Sequence, residues 1–213
     1  MLVLGIDTTS NNLGIGIVED TKQNFFLSIT QKNSENLTLI LKKIFDLTDY
    51  KINELNGISV ITGPGSYTGI RIGISIAKTI SQVQKIPIVG INKLIVLIEQ
   101  APSNCILSPI LDIRRNEIYT ALVNKRNNEY SFIIEPCIQK VKDWEDKLKN
   151  INEKILIIGD NYLFNDKNFF SYYEPCYNSV ITASFIGLKE IKLGKGKNFY
   201  EINPFYLREV ICF

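Results

Sequence analysis

Apolar and polar positions along the 213-residue chain follow two periods. Short apolar runs closed by turn residues read as strands: Met1 to Thr8, Leu13 to Val18 and Asn24 to Thr30, with a polar turn from Thr9 to Asn12. A stretch with a 3.6-residue period then runs from Glu35 to about Asp49. It puts Leu37, Ile40, Leu41, Ile44, Phe45 and Leu47 on one side, with Ser34 placed to cap it. Gly57 to Ile61 is a buried strand that passes through Gly-Pro-Gly into a helix from Thr68 to Gln84, and Ile86 to Ile91 is a further strand. After a loop that includes Pro102 and Pro109 a similar order begins again. Its strands are Ile106 to Asp112, Glu117 to Val123 and Tyr130 to Glu135; a helix over Val141 to Leu148, a strand over Lys154 to Gly159 and a helix over Ala183 to Leu193 complete it.

The helix after Gly-Pro-Gly carries more apolar surface than a single sheet can cover. At 100° per residue, Arg71, Ser75, Lys78 and Gln82 make one narrow polar stripe, and Ile70, Ile72, Ile74, Ile76, Ile80 and Val83 lie outside it. Gly69, Gly73 and Ala77, spaced by four, form a ridge of small residues along which another backbone can approach. The ridge faces either an element of the same subunit or a second protein. Glycines inside a helix cost up to ~1 kcal/mol each relative to alanine, so something close must use the space.

Composition narrows the chemistry. Net charge is +2, which by itself marks no nucleic-acid binder. The four cysteines are widely separated and form no CxxC pair, so reduced thiols in a cytoplasmic protein are expected; the first residues enter a strand directly, without a leader or membrane span. The chain has no histidine. Ser/His or Cys/His catalysis and any His-ligated metal are thereby excluded within it. Nucleotide motifs fail as well. Five residues separate Gly63 from Gly69 and Ile70 follows, which is no Walker A loop, and Thr68 stands where a dinucleotide fingerprint needs its third glycine.

An internal repeat is visible. Ile6-Asp7 is followed eleven positions after the Asp by Val18, and Leu111-Asp112 eleven after its Asp by Val123. Each half then opens on an antiparallel hairpin, residues 1–100 forming the first half and 101–213 a second, reduced in its elements.

The run from Gly63 to Gly73, GPGSYTGIRIG, resembles the GPGSFTGxRxG signature of the TsaB (YeaZ) family, with Tyr67 where Phe is usual. Asp112 to Tyr119 resembles that family's DARxxEVY, with Ile113 for Ala, and Asn203 to Arg208 its terminal PxYLR. Many members carry a His before the first helix, where this chain has Asn33-Ser34-Glu35. The resemblance implies an α/β, actin/Hsp70/sugar-kinase-like (ASKHA) duplicated fold of two mixed-sheet halves. It also implies a non-catalytic subunit that pairs with the catalytic TsaD subunit and supports a TsaE ATPase in making threonylcarbamoyladenosine in tRNA. TsaD's metal-binding histidines are missing here, in agreement.

Candidate residues follow. Leu37, Ile40, Leu41 and Ile44 of the first helix, with Thr68, Gly69, Ile72, Gly73, Ile76 and Ala77 of the second, are the expected partner face, toward TsaD or a second copy. Asp7, Thr8 and Thr9 match the hairpin turn that faces ATP phosphates in such folds. Asp7 either holds Mg²⁺ beside ATP or ADP or satisfies the turn's own N–H groups. Arg114 and Arg115 can bind a phosphate or a partner's carboxylate, or are solvated turn residues. Lys189, Lys192, Lys195 and Lys197 form a wet face, with tRNA contact the alternative. The competing reading is an independent ATP-dependent phosphotransferase built on Asp7 and Asp112.

Overall fold

Alternating side chains in strands β1 (Leu2–Asp7) and β2 (Asn12–Glu19) start a sheet that is covered on both faces. In a computed structural model, residues 1–10, 12–20, 24–31, 37–164, 170–174 and 178–207 are described. The cap expected at Ser34 lies outside them, as does Arg208. Strands β3 (Asn24–Gln31), β4 (Gly57–Gly63) and β5 (Ile88–Asn92) complete the first sheet in the order β3-β2-β1-β4-β5. β1 pairs antiparallel with β2 and β2 with β3; β1 pairs parallel with β4 and β4 with β5.

Helices α1 (Leu37–Leu47) and α2 (Tyr67–Gln84) cover one face, where Leu4, Ile6, Ile15, Ile58, Ile70 and Ile74 share a core. Each such side chain, fully buried, contributes roughly 1.5–3 kcal/mol. The other face of β1 belongs to α5 (Ser179–Lys192), which packs Leu188 and Ile191 on Val3 and Val18. Ser59 donates its hydroxyl to the Ala183 carbonyl at 2.6 Å. At 2.6 Å Lys192 pairs with Asp20 and ties the last turn of α5 to the end of β2.

The second sheet repeats the first. Strands β6 (Cys105–Asp112), β7 (Glu117–Arg126), β8 (Glu129–Lys140), β9 (Ile155–Gly159) and β10 (Ser171–Tyr173) stand in the order β10-β9-β6-β7-β8. Here β6/β7 and β7/β8 are antiparallel, β6/β9 and β9/β10 parallel. Strand for strand this is the topology of the first sheet, so the duplication read from the hairpins holds. Helix α4 (Val141–Lys149) lays Val141, Trp144 and Leu148 on it, and the Trp144 indole N–H donates to Ser108 Oγ at 3.0 Å.

Three expectations are corrected. α3 (Lys93–Gln100) is not among the elements predicted, because a five-residue apolar run does not tell a buried helix from a strand. Pro109, expected in a loop, lies inside β6, where the pairing with β7 lapses between Leu107 and Ile110 and no N–H is needed. Two compact units form, residues Met1–Lys93 with Asn178–Phe213 and residues Leu94–Tyr177. The expected division at residue 100 therefore misassigns the C-terminal helix: α5 buries its apolar side on the first sheet.

Buried Lys125 ties β7 to the end of α3. Its ammonium, 2% exposed as a residue, donates to the carbonyls of Ile98, Glu99 and Ala101 at 2.8, 3.0 and 2.7 Å. Burial pushes its pKa down from the ordinary value. One side chain thus serves three carbonyls at and just past the end of a helix, where intrahelical donors run out; that of Ile98 also accepts from the Ala101 N–H at 3.2 Å.

Candidate partner surface

The turn into α2 is shaped by Gly63, at φ +126°, and a cis Gly63–Pro64 bond. Ser66 caps the helix, accepting from the Gly69 N–H at 3.2 Å, and Lys85 ends it in the left-handed region. The ridge of small residues meets the turn after β1. A Cβ at position 69 would lie 1.9 Å from the Thr8 carbonyl oxygen, and one at position 73 would lie 2.2 Å from Thr8 Oγ1. Thr8 Oγ1 in turn donates to the Gly69 carbonyl at 2.6 Å, and the Ser66 N–H donates to the Thr9 carbonyl at 2.7 Å. The close approach that Gly69, Gly73 and Ala77 allow is thus taken by this chain's own turn and sheet. These three residues present nothing to a partner, and that part of the expected face is corrected.

Asp7 is 2% exposed and fully engaged. Its Oδ1 accepts from the Thr9 N–H at 2.9 Å and the Thr9 hydroxyl at 2.7 Å, while Oδ2 accepts from the Ser179 hydroxyl at 2.5 Å. Thr9 Oγ1 accepts in turn from Lys93 Nζ at 2.9 Å. The carboxylate therefore holds the first residue of α5 and the start of α3 to β1, as a buried anion with its donors supplied. Fitting a hydrated magnesium ion would mean displacing these donors from a site with almost no solvent access. Asp7, Thr8 and Thr9 thus match a structural brace better than a nucleotide-metal site. Among the described residues no group of three or more Cys, Asp or Glu is arranged to hold a metal.

An accessible apolar surface lies between α1 and α2. A groove of about 590 Å³ is lined by Leu41, Phe45, Tyr50, Ile52, Ile76 and Ile80, with Lys42, Asp46 and Lys51 also on its wall. Around α1 and α2, Leu39, Leu47 and Val83 stand 58%, 83% and 69% exposed. The Tyr50 hydroxyl donates to the Glu19 carboxylate, and that bond, ahead of burial, pushes its pKa up to about 12.

Of the expected face, Leu37, Ile40 and Ile44 point into the core, Leu41 lines the groove, Thr68 is exposed, and Ile72 and Ile76 are half-buried. Phe45 and Ile52 line the groove, and Leu39, Leu47 and Val83 are exposed on the two helices; none of these five is part of the expected face. Leu39 and Val83 carried a usable signal, being apolar residues off the stripe that faces the sheet.

Two motifs far apart in sequence meet beside the N-terminus of α2. The Phe205 N–H donates to the Thr62 carbonyl at 2.9 Å, the Tyr67 and Tyr206 ring centroids stand 5.0 Å apart, and the Arg71 guanidinium lies 4.2 Å from the Tyr67 centroid. In the second unit, Arg114, Arg115 and Asn116 all hold positive φ in the turn between β6 and β7. The left-handed region costs a non-glycine residue roughly 1 kcal/mol or more.

The family model described as TsaD, tRNA N6-adenosine threonylcarbamoyltransferase, matches residues 28–198. The tRNA threonylcarbamoyladenosine biosynthesis protein TsaB of Bacillus subtilis (strain 168) is 32% identical over 162 residues, covering 75% of this chain and 71% of that protein. The tRNA N6-adenosine threonylcarbamoyltransferase of Fervidobacterium nodosum is 29% identical over 45% of this chain, which amounts to 33% of its own length. Among solved structures, YeaZ from Pseudomonas aeruginosa superposes with a TM-score of 0.77 at 13% identity, over 97% of this chain and 99% of that one. That last likeness speaks for the fold alone.

Proposed function

The chain belongs to the TsaB family, and from that premise we propose that it is the non-catalytic partner subunit of a threonylcarbamoyladenosine-forming complex. It pairs with a TsaD-type catalytic subunit, and a TsaE-type ATPase joins the pair in the cytoplasm. The observation that carries this reading is the apolar groove between α1 and α2. Its lining and the exposed Leu39, Leu47 and Val83 are the kind of surface that a stable monomer rarely leaves in water. A second copy of the chain takes the same face when the partner is absent.

Two further observations support a partner in place of an enzyme. The chain has no histidine, so it supplies no imidazole ligand or base. The likeness to the Bacillus subtilis TsaB spans 75% of this chain and 71% of that protein, whereas that to the transferase from Fervidobacterium nodosum takes in 45% of this chain and 33% of that enzyme. Contact with tRNA is mainly indirect, in keeping with a net charge of +2. Where ATP or ADP with magnesium takes part, it binds at a site completed by the partners, since Asp7 is already occupied by Thr9 and Ser179.

Reconstitution tests the proposal. The TsaD-type and TsaE-type proteins of the same cell are assayed for threonylcarbamoyladenosine formation on tRNA with and without this chain. Product that depends on the chain is the expected result. Equal product on its omission, or ATP-dependent phosphotransfer by the chain alone, refutes the reading.

A further inference from the structure

Two hairpin turns of the second unit use left-handed backbone, and they differ in what they place there. Between β7 and β8 the residues at positive φ are Asn127 and Asn128, at 51° and 64°. Asparagine is the residue that, after glycine, accepts this region most readily. Between β6 and β7 three residues in succession hold it: Arg114 at 72°, Arg115 at 58° and Asn116 at 59°. Arginine lacks the short polar side chain that eases such a conformation, so this turn breaks a rule that its neighbour obeys.

The turn is nonetheless firmly held. The Arg114 N–H donates to Asp112 Oδ1 at 2.7 Å, the Glu117 N–H to the Arg114 carbonyl at 3.2 Å, and the Val141 N–H to the Asn116 carbonyl at 3.1 Å. Asp112 is gripped in turn: the Tyr162 hydroxyl donates to its Oδ2 at 2.9 Å, and its own N–H donates to Asp160 Oδ2 at 2.7 Å. Unfavourable backbone that its surroundings over-determine is found where a side chain must be presented in one orientation. Here the side chains presented are Arg114, 84% exposed and with Nη1 3.8 Å from Asp112 Oδ2, and its exposed neighbour Arg115. Tyr162, also exposed, reaches the same carboxylate oxygen.

We propose that Arg114 and Arg115, fixed by this turn and flanked by Tyr162, are a contact for carboxylate groups on the TsaD-type protein partner. The inference rests on the function proposed above. A guanidinium fork matches a carboxylate with two parallel bonds, and arginine and tyrosine dominate the residues that carry binding energy in protein interfaces. Holding them in a fixed turn lowers the ordering cost on association. The partner is a protein surface, not RNA, because Asp112, Glu117 and Asp160 stand beside the two arginines in the chain and the fold. They leave no extended positive field to draw a polyanion from a distance, whereas the bidentate pairing of a guanidinium with a carboxylate is made at contact range.

The test uses the double variant Arg114→Asn/Arg115→Asn, whose new residues are at home in the left-handed region. The full chain and the variant are melted, then titrated against the TsaD-type subunit at low and high salt and, separately, against labelled tRNA. The expected result is a melting temperature at or above that of the parent and partner affinity lower by about tenfold or more, the difference shrinking as salt rises. Equal partner affinity of the two proteins overturns the inference and leaves the proposed function standing. Absence of partner binding by the parent chain overturns the proposed function and the inference with it. Loss of tRNA binding with partner affinity intact overturns the inference in favour of RNA. Should the double variant melt below the parent, Arg115→Glu alone carries the same comparison.

Discussion

Arg71 Nε donates a hydrogen bond to the Tyr206 hydroxyl at 2.9 Å, across a sequence separation of 135 residues. The arginine belongs to the GPGSYTGIR run and the tyrosine to the NPFYLR run. Joined by the Tyr67–Tyr206 ring contact, they clamp the C-terminal segment onto the first turn of α2. Tyr206→Phe removes only the hydrogen bond and is expected to cost about 0.5 kcal/mol at this exposed site. Tyr206→Ala also removes the ring contact and costs roughly 1–2 kcal/mol. Urea unfolding midpoints read both; equal midpoints for all three proteins would remove the clamp.

Gly69→Ala gives a test with opposite signs for opposite readings. If the ridge faced a partner or solvent, the isolated chain would gain up to ~1 kcal/mol from helix propensity. Because a Cβ there meets the Thr8 carbonyl at 1.9 Å, overpacking at the upper end of its ~1–3 kcal/mol range prevails. A net loss of roughly 2 kcal/mol, seen as a lower melting temperature, is the expected outcome.

Exposed apolar residues of α1 and α2 separate stability from association. Leu47→Asp and Val83→Asp change residues that are mostly in water, so each is expected to shift folding stability by about 0.5 kcal/mol or less. Affinity for the TsaD-type subunit, followed by size-exclusion chromatography and titration calorimetry, should fall by about tenfold or more. Unaltered affinity in both would move the interface elsewhere.

Lys125→Met takes the buried ammonium from the carbonyls of Glu99 and Ala101 and leaves that of Ile98 only the Ala101 N–H. A loss of about 3 kcal/mol follows, in the range for an abolished buried polar network. Trp144 is the only tryptophan of the chain and is fully buried in the same unit. Its fluorescence red-shift on denaturation therefore reports this unit directly, and should come at a lower denaturant concentration in the variant.

Tyr50 ties stability to alkaline pH. Its phenol is raised from 10.0 to about 12, first by donating to Glu19 and then by burial. A group whose folded pKa is raised contributes fully below its unfolded value and loses that contribution as pH climbs through the folded one. The stability difference between the parent and Tyr50→Phe should therefore hold below about pH 10 and vanish toward about pH 12. A difference that persists unchanged through this window would dissociate Tyr50 from Glu19.

Much of the fold was legible in the sequence, because short apolar runs and turn residues mark strands whatever their partners. The hairpins around Asp7 and Asp112 carried the duplication. The Leu94–Ile98 run did not declare its helix, since unbroken apolar sequence has no period to read. The home of α5 was also hidden: its sequence shows that one side must be buried, but not which sheet buries it. For the site, the excess of apolar surface on α2 was visible in the spacing of its isoleucines. The direction in which Gly69 and Gly73 face was not, because small residues permit approach from a turn as readily as from a helix. The brace around Asp7 needed Ser179, 172 residues away, and no local pattern connects them.

Matching strand orders put α1 and α4 at the same station of the two repeats, each between its third and fourth strands. Their outer sides have diverged. α4 turns Lys142, Asp143, Asp146 and Lys147 to water, whereas α1 leaves Leu39 and Leu47 there. Had both copies stayed greasy, every molecule would carry two sticky stations and could link head to tail into open chains. With one of them wetted, the greasy station occurs once per chain, and a contact made through it would close as a pair.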